Sequence, residues 1–182
     1  ELLGRIEHDD LREVSVRRMC ERYGVDMNQA SSVEDTVLVL LKQMPPEWEL
    51  AGSNWESIIG WAAQLHEIGL ALRYSGYHKH SAYLILNSEM PGFARQELEA
   101  LAALVGCHRR KIRKQVLDDV LLSGFEMLPV LVAVFRLAVL LNRGRSSNHV
   151  PDLHLNIEED ALLLTFEEGW LDEHPLTQAD LE

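Results

Sequence analysis

Apolar residues recur at helical spacing along most of the first 145 positions. Between residues 28 and 44 they fall three to four positions apart, as at Val33, Val37 and Leu40, which is the pattern of one buried helical face. The prolines at 45 and 46 end this pattern, because proline cannot continue a helix. We therefore predict a helix over about 28–44.

The same periodicity predicts helices on both sides of this one. Asp9 and Asp10 are placed to cap a first helix that ends near Gly24. A capping-box sequence at 53–56 opens a third helix, which we extend through Ile68. The helices predicted after it cover residues 78–87, 94–107 and 128–142. The last of these is apolar on nearly all sides, as is typical of the central helix of a bundle.

Gly69 directly follows the third predicted helix. Glycine in a helix costs about 1 kcal/mol relative to alanine. We take its presence here to indicate that another part of the backbone packs closely against this position.

The hydrophobic period changes from helical to alternating after Val150. Residues 153–157 alternate strictly and residues 161–166 follow as a second strand, so a hairpin is predicted around 158–160. Thr177 begins a pattern typical of a further helix cap. The fold class expected is mainly α. We divide the chain into a helical domain, 1–147, and the start of a small, truncated α/β region, 148–182.

Composition and charge agree with this division. The chain of 182 residues is 47% hydrophobic and 25% charged, as in ordinary globular domains. No apolar run approaches the roughly 18 residues that a membrane span needs. The net charge is −12, yet no Lys or Arg follows Arg145 while ten Asp and Glu do. The first 145 residues are thus nearly neutral. Cys20 and Cys107 show no paired spacing, and we expect buried thiols in a reducing compartment.

His66 and Glu67 form the first candidate site. The pair resembles the His-Asp pair of the His-Asp phosphohydrolase superfamily, an all-helical fold whose divalent metals activate water against phosphate esters. The corresponding upstream and downstream ligand positions hold Gln29 and Asn142. Their neutral carbonyl oxygens are much weaker ligands than imidazole or carboxylate. We therefore expect a metal-free relic of such a site. Weak or altered metal binding, as in an autonomous metal-dependent phosphohydrolase, is the alternative.

Four longer motifs follow one another in a characteristic order. They are WAAQLHEIG at 61–69, SGYHKHSAY at 75–83, NSEMPGF at 87–93 and LVGCHRRK at 104–111. In this order they resemble the C-terminal region of the exopolyphosphatase and guanosine pentaphosphate phosphatase (Ppx/GppA) family, and its exopolyphosphatase branch in particular. The resemblance spans nearly the whole chain.

The resemblance implies a function for a longer protein. The family's catalytic machinery lies in two N-terminal domains of the sugar-kinase/actin type, absent here, so we expect no catalytic residue in this chain. Those domains are expected to use a divalent metal, magnesium, and this chain to bind no cofactor. The predicted parent enzyme is a cytoplasmic exopolyphosphatase that releases phosphate from polyphosphate chain ends, with a peripheral place at the inner membrane as an alternative. The alternative activity is that of a guanosine pentaphosphate phosphatase. This chain is expected to bind polyphosphate and to form a homodimer, without nucleic acid or a transmembrane segment.

Two basic stretches are the candidate polyphosphate-binding residues. The first holds five of the chain's 17 Lys and Arg: Arg109, Arg110, Lys111, Arg113 and Lys114. Successive cations suit a chain of phosphates, and on a helix positions 110, 113 and 114 share a face. The second is His78, Lys79 and His80, at a predicted helix start where backbone N–H groups favour anions. The competing interpretations are a solvated helix face for the first and a core histidine for the second. The four tryptophans are expected in the core or an interface rather than against a nucleobase.

Overall fold

A computed structural model of the protein describes residues 2–50, 54–112, 126–145, 153–158 and 161–181, with only the backbone for 2–10. The helices are α1 (Leu2–Tyr23), α2 (Met27–Leu41), α3 (Asn54–Leu65), α4 (Tyr77–Asn87), α5 (Arg95–Cys107), α6 (Leu128–Leu141), α7 (Trp170–Glu173) and α8 (Pro175–Leu181). Short 3-10 turns cover Pro46–Trp48 and Ile68–Ala71, and the strands are β1 (His154–Glu158) and β2 (Ala161–Thr165). The mainly α fold with a small sheet is confirmed. Across these described ranges, we find no helix with the length and apolar character to span a membrane.

Helix α2 shows why the apolar period predicts the bundle. Asp26 caps it by accepting hydrogen bonds from the backbone N–H groups of Asn28 and Gln29, at 3.1 and 3.2 Å. Its apolar face, including Val33 and Val37, is fully buried against α3 and α6. The helix ends at Leu41, three residues before the predicted end, in a turn that leads into the prolines.

Helices α5 and α6 form the centre of the core. Helix α5 packs against α3, α4 and α6, and α6 buries one face that includes Leu131 and Phe135. The predicted bounds of both helices are confirmed to within one residue. The opposite side of α6, which carries Leu137 and Leu140, is only half-buried. It forms a wall of the cleft described below.

Besides the end of α2, three further predicted helix ends are wrong. Helix α1 begins at Leu2, so Asp9 and Asp10 lie inside it. An aspartate inside a helix costs only a few tenths of a kcal/mol, which the continued backbone bonds outweigh. Helix α3 ends at Leu65 rather than at 68. Helix α8 begins at Pro175, so the predicted cap residue Thr177 lies within it.

Two further predictions fall outside the described residues. The capping residue Ser53 lies outside them, as does the predicted domain boundary between 147 and 148. Helix α7, in contrast, is present without having been predicted, because four residues are too few to show a helical period.

Gly69 packs as closely as expected. A Cβ atom on this residue would lie 2.2 Å from the carbonyl oxygen of Tyr77 and 2.6 Å from the backbone nitrogen of Ser81. The N–H of Gly69 donates to Ser81 Oγ at 2.8 Å, and that hydroxyl donates to the carbonyl of His66 at 2.9 Å. Ser81 on α4 therefore fixes the turn that holds His66 and Glu67.

The predicted hairpin is confirmed, with β1 and β2 antiparallel. Its inner side chains, Leu153 and Leu155, are buried. The side chain of Gln43 binds this strand through both ends of its amide, donating to the carbonyl of Leu153 and accepting from the N–H of Leu155, each at 2.9 Å. These two bonds join the hairpin to the end of α2.

Candidate functional site: an arginine-lined cleft

A cleft of about 1020 Å³ opens between the bundle and the C-terminal segments. Among the described residues, its charged lining consists of five arginines and two carboxylates: Arg109, Arg110, Arg136, Arg143, Arg145, Glu67 and Asp180. The arginines follow the ends of α5 and α6, apart from Arg136, which lies within α6. A concave surface with an excess of fixed positive charge attracts anions.

Arg136 organises the loop after α5. The last carbonyl groups of a helix carry a partial negative charge, which would repel an anion. Nη1 of Arg136 donates to the carbonyls of Cys107 and Arg110, at 2.9 and 2.8 Å. Arg110 adopts a left-handed conformation with φ of 64°, which is uncommon for a residue with a Cβ atom. The guanidinium thus stabilises a sharp turn that directs Arg109 and Arg110 to the cleft.

Arg109 stacks on Tyr77. Its guanidinium carbon lies 4.8 Å from the centre of the Tyr77 ring, within the range of a cation–π interaction. Burial raises the pKa of Tyr77, and the nearby Arg109 charge partly opposes that shift. The phenol stays protonated, and its oxygen lies 3.3 Å from Nε2 of His108.

Buried histidines form the floor of the cleft. The rings of His66 and His108 meet at right angles with centroids 5.4 Å apart. Nδ1 of each donates to a carbonyl three residues earlier, Ala63 or Val105, at 2.6 Å. Burial lowers the pKa of both rings, and for His108 the neighbouring His66 lowers it further, well below 6.5. Both rings are therefore neutral at pH 7 and add no charge to the cleft.

His66 keeps one nitrogen without a hydrogen-bond partner. Its Nε2 is buried and makes no hydrogen bond within the described part of the chain. Glu67 Oε1, the carboxylate nearest to it, is 4.0 Å away. Because Nδ1 carries the proton, Nε2 presents a lone pair and can accept a hydrogen bond or ligate a cation.

The other two positions of the predicted relic metal site, Gln29 and Asn142, form hydrogen bonds within the protein. Gln29 donates its amide to the carbonyl of Asn142 at 2.9 Å. The amide of Asn142 donates to Thr36 Oγ1 and to the carbonyl of Ala138, both at 2.8 Å. Within the ranges that the structure describes, no three His, Cys, Asp or Glu side chains are grouped so as to hold a metal ion. The metal-free relic stays a prediction, and these bonds are its physical support.

Arg145 supplies the positive charge beside Glu67. It donates to Glu67 Oε1 at 2.6 Å and to Asp26 Oδ2 at 3.1 Å. Its own backbone is left-handed, with φ of 48°. Arg143, two residues earlier, pairs with Asp180 of α8. Both arginines thus join the end of α6 to other parts of the chain.

The structure divides the first predicted basic stretch. Arg109 and Arg110 line the cleft, whereas Lys111 is exposed and lies outside its lining. Arg113 and Lys114 lie outside the described residues. Helix α5 ends at Cys107 and Arg110 lies in the turn that follows, so Arg110 does not belong to the helical face that positions 110, 113 and 114 would share on a helix.

The second predicted stretch lies behind the cleft rather than along it. His78 is buried with its ring 6.0 Å from that of His108. Lys79 is exposed and His80 half-buried, and neither belongs to the lining. The N–H groups of both donate to the carbonyl of Gly76, at 2.8 and 3.3 Å. Their part in phosphate binding stays a prediction.

Sequence reasoning missed several charged and aromatic residues of the cleft, among them Tyr74, Arg136, Arg143 and Arg145. Arg143 and Arg145 follow a buried helix directly, a place where cations interact favourably with the helix dipole, and that signal could have identified them. Tyr74 and Arg136 carry no such local signal.

Comparison with known proteins identifies a family to which nearly the whole chain is similar. Residues 11–182 match the family described as Ppx/GppA phosphatase, domain III. The guanosine-5'-triphosphate,3'-diphosphate pyrophosphatase of Pseudoalteromonas translucida is 35% identical over 181 residues, which is 100% of this chain. Proteins of the same name from Aeromonas hydrophila and Pseudoalteromonas atlantica are 35% and 33% identical over 99% of this chain. The chain spans 36% of the length of each of these relatives.

These relatives carry the name of the enzyme class that the sequence analysis gave as the alternative, a guanosine pentaphosphate phosphatase. The predicted family resemblance is confirmed, since the match covers nearly all of the chain. This chain belongs to the Ppx/GppA phosphatase family, in which it corresponds to domain III.

Proposed function

We propose that this chain is the non-catalytic third domain of a phosphatase that hydrolyses guanosine-5'-triphosphate,3'-diphosphate, and that its cleft binds phosphate groups of the substrate. The observation that carries the proposal is the convergence of Arg109, Arg110 and Arg136 on one cleft. Guanidinium groups bind phosphate oxygens through paired, charge-assisted hydrogen bonds. The names of the relatives support the nucleotide as substrate.

The ion pairs within the cleft suggest different roles for its arginines. Arg143 and Arg145 are paired with carboxylates, so their charges are largely balanced within the protein and the excess positive charge of the cleft comes from the other three arginines. Arg136 uses one nitrogen on backbone carbonyls, and the Arg109 guanidinium lies over the Tyr77 ring. Each of these two guanidinium groups has further N–H donors for a phosphate. Arg110 is exposed beside them.

Catalysis is assigned to parts of the protein beyond this chain. The sequence has no Gly-rich phosphate-binding loop, and we place the hydrolytic step, together with its divalent metal, in the N-terminal domains that the family resemblance implies. Homodimer formation and a cytoplasmic location are proposed on the same resemblance.

An exopolyphosphatase is the second candidate. The run of five cations between residues 109 and 114 favours it, because a linear polymer of phosphates can follow such a run where a single nucleotide cannot. The two candidates share the arginine-lined cleft and differ in the ligand that it prefers.

Calorimetric titration tests the cleft against both ligands. We expect the dissociation constant for guanosine-5'-triphosphate,3'-diphosphate to be lower than that for inorganic polyphosphate, with polyphosphate counted as the concentration of chains. Arg110→Ala removes a charged donor and should weaken nucleotide binding roughly 10-fold. The matched control is Lys111→Ala, an adjacent exposed cation outside the cleft, which should change affinity less than about 2-fold. A wild-type protein that binds neither ligand, or equal effects of the two variants, would contradict the proposal. Tighter binding of polyphosphate would favour the second candidate.

A further inference from the structure

Tyr74 is an aromatic side chain left open to solvent at the cleft. It is 76% exposed although it belongs to the lining of the cleft. Two neighbouring aromatic residues, Tyr77 and Phe135, are buried, at 7% and 0% exposure. Single exposed aromatic residues are common on proteins. The exposure of Tyr74 therefore indicates a binding role only together with the residues that surround its ring.

The surroundings of Tyr74 are cationic. Its ring centre lies 6.3 Å from that of Tyr77, and Tyr77 carries the Arg109 guanidinium over its ring at 4.8 Å. Arg110 follows Arg109 directly in the lining. An open aromatic face and a group of phosphate-binding cations thus lie side by side at one cleft.

We infer that Tyr74 is a specificity-determining residue of the cleft, whose ring stacks on the guanine base of a guanosine nucleotide while Arg109, Arg110 and Arg136 hold its phosphates. This inference rests on the proposed function and adds the nucleoside half of the ligand to it. Inorganic polyphosphate has no base, so Tyr74 contributes nothing to its binding. The arginines alone would bind both ligands, and the Tyr74 ring is therefore the group that favours the nucleotide over polyphosphate.

The other aromatic candidate for this role is already occupied. Phe166 also lines the cleft, but its ring stacks on Trp170 with centroids 5.1 Å apart and planes 4° apart. Trp170 in turn stacks on His174 at 4.0 Å. Phe166 also packs against the core, whereas Tyr74 has open ring surface.

Binding of two ligands that differ in the nucleoside tests the inference. We would titrate the protein with guanosine-5'-triphosphate,3'-diphosphate and with inorganic tripolyphosphate, which supplies three linked phosphates without a base. Tyr74→Ala should weaken binding of the nucleotide roughly 5-fold or more, the size of one base stacked on an aromatic ring. Binding of tripolyphosphate should change less than about 2-fold. Tyr74→Phe keeps the ring and should bind the nucleotide as the wild type does.

The matched control is Tyr83→Ala. Tyr83 is also exposed, at 62%, and lies outside the cleft lining, so its loss should leave both affinities unchanged. If Tyr74→Ala weakens both ligands equally, or Tyr74→Phe behaves as the alanine variant, base stacking is wrong. If Arg110→Ala weakens nucleotide binding while Tyr74→Ala does not, the inference fails and the proposed phosphate cleft stands. Absence of binding by the wild type overturns both.

Discussion

Nη2 of Arg145 lies 2.6 Å from Oε1 of Glu67, so an arginine neutralises the carboxylate of the predicted relic metal pair. Glu67 is only 9% exposed, and a buried carboxylate needs a positive or hydrogen-bonding partner. In this chain the partner comes from the residue four positions beyond α6. The positive charge beside this carboxylate is thus supplied by the protein itself.

Removal of Arg145 should therefore destabilise the fold. We expect Arg145→Ala to lower the free energy of unfolding by about 1–3 kcal/mol, because it leaves Glu67 buried without its partner. Adding Glu67→Gln to that variant should recover most of the loss, since the uncompensated charge disappears. Urea unfolding measures both changes. Arg143→Ala, which breaks an exposed pair with Asp180, is the control and should cost less than about 1 kcal/mol. Equal losses for the two arginine variants would contradict this account.

Gly69 should not tolerate a methyl group. Gly69→Ala places Cβ 2.2 Å from the Tyr77 carbonyl, and because that atom belongs to the backbone the turn must move. We expect a loss of about 2 kcal/mol or more in urea unfolding. Gly60→Ala is the control: its Cβ meets the end of the flexible Glu34 side chain at 2.9 Å, and alanine favours the α3 helix by up to about 1 kcal/mol. A Gly69→Ala variant as stable as the wild type would show that the turn and α4 can separate freely.

Stability should fall in mild acid because His108 is buried in its neutral form. Its folded-state pKa lies well below 6.5, whereas in the unfolded chain it is near 6.5. The unfolded state therefore takes up a proton first as the pH drops. The stabilising contribution is complete above about pH 6.5 and is lost progressively as the pH falls toward the folded-state pKa.

Urea midpoints measured between pH 7.5 and 5.5 test this expectation. The decline should be smaller in His108→Gln, even if that variant is less stable overall. His154→Gln, at an exposed position of β1, should show the wild-type decline. A decline that persists unchanged in His108→Gln would assign it to other groups.

Cys20 should react slowly with alkylating reagents. Burial raises the pKa of its thiol to about 11, and the neighbouring Glu21 adds to that shift. Since the thiolate is the reactive form, we expect little labelling by iodoacetamide at pH 8 in the native protein and rapid labelling in urea. Mass spectrometry of the peptide that contains Cys20 provides the measurement. Rapid labelling of the native protein would mean that α1 separates readily from the bundle, since Cys20 lies on the buried face of that helix.

Much of the helical architecture could be predicted from the sequence because its signals are local. The apolar period of α2, α5 and α6 and the alternation of β1 depend on residues within one element. The tight packing at Gly69 was also predictable. Glycine weakens a helix relative to alanine, so its presence beside a helical segment indicates that close packing leaves no room for a side chain. The pair of His66 and Glu67 was recognisable as a motif for the same local reason.

The cleft itself could not be predicted in this way. Arg110 reaches it because α5 ends at Cys107, and that end is stabilised by Arg136, 29 residues further along the chain. Arg145 meets Glu67 from 78 residues away. A period within one element carries no information about contacts between distant elements.

The local pattern along the chain thus predicts most of the helices and strands, though not the short α7, and which of their faces are apolar. Which charges meet depends on the tertiary structure. Burial of apolar faces is roughly additive along the chain and can be read residue by residue, whereas the field at a cleft depends on distances between groups on separate elements. The arginines of this cleft lie together because the packing of α5 and α6 brings the ends of both helices to the same opening.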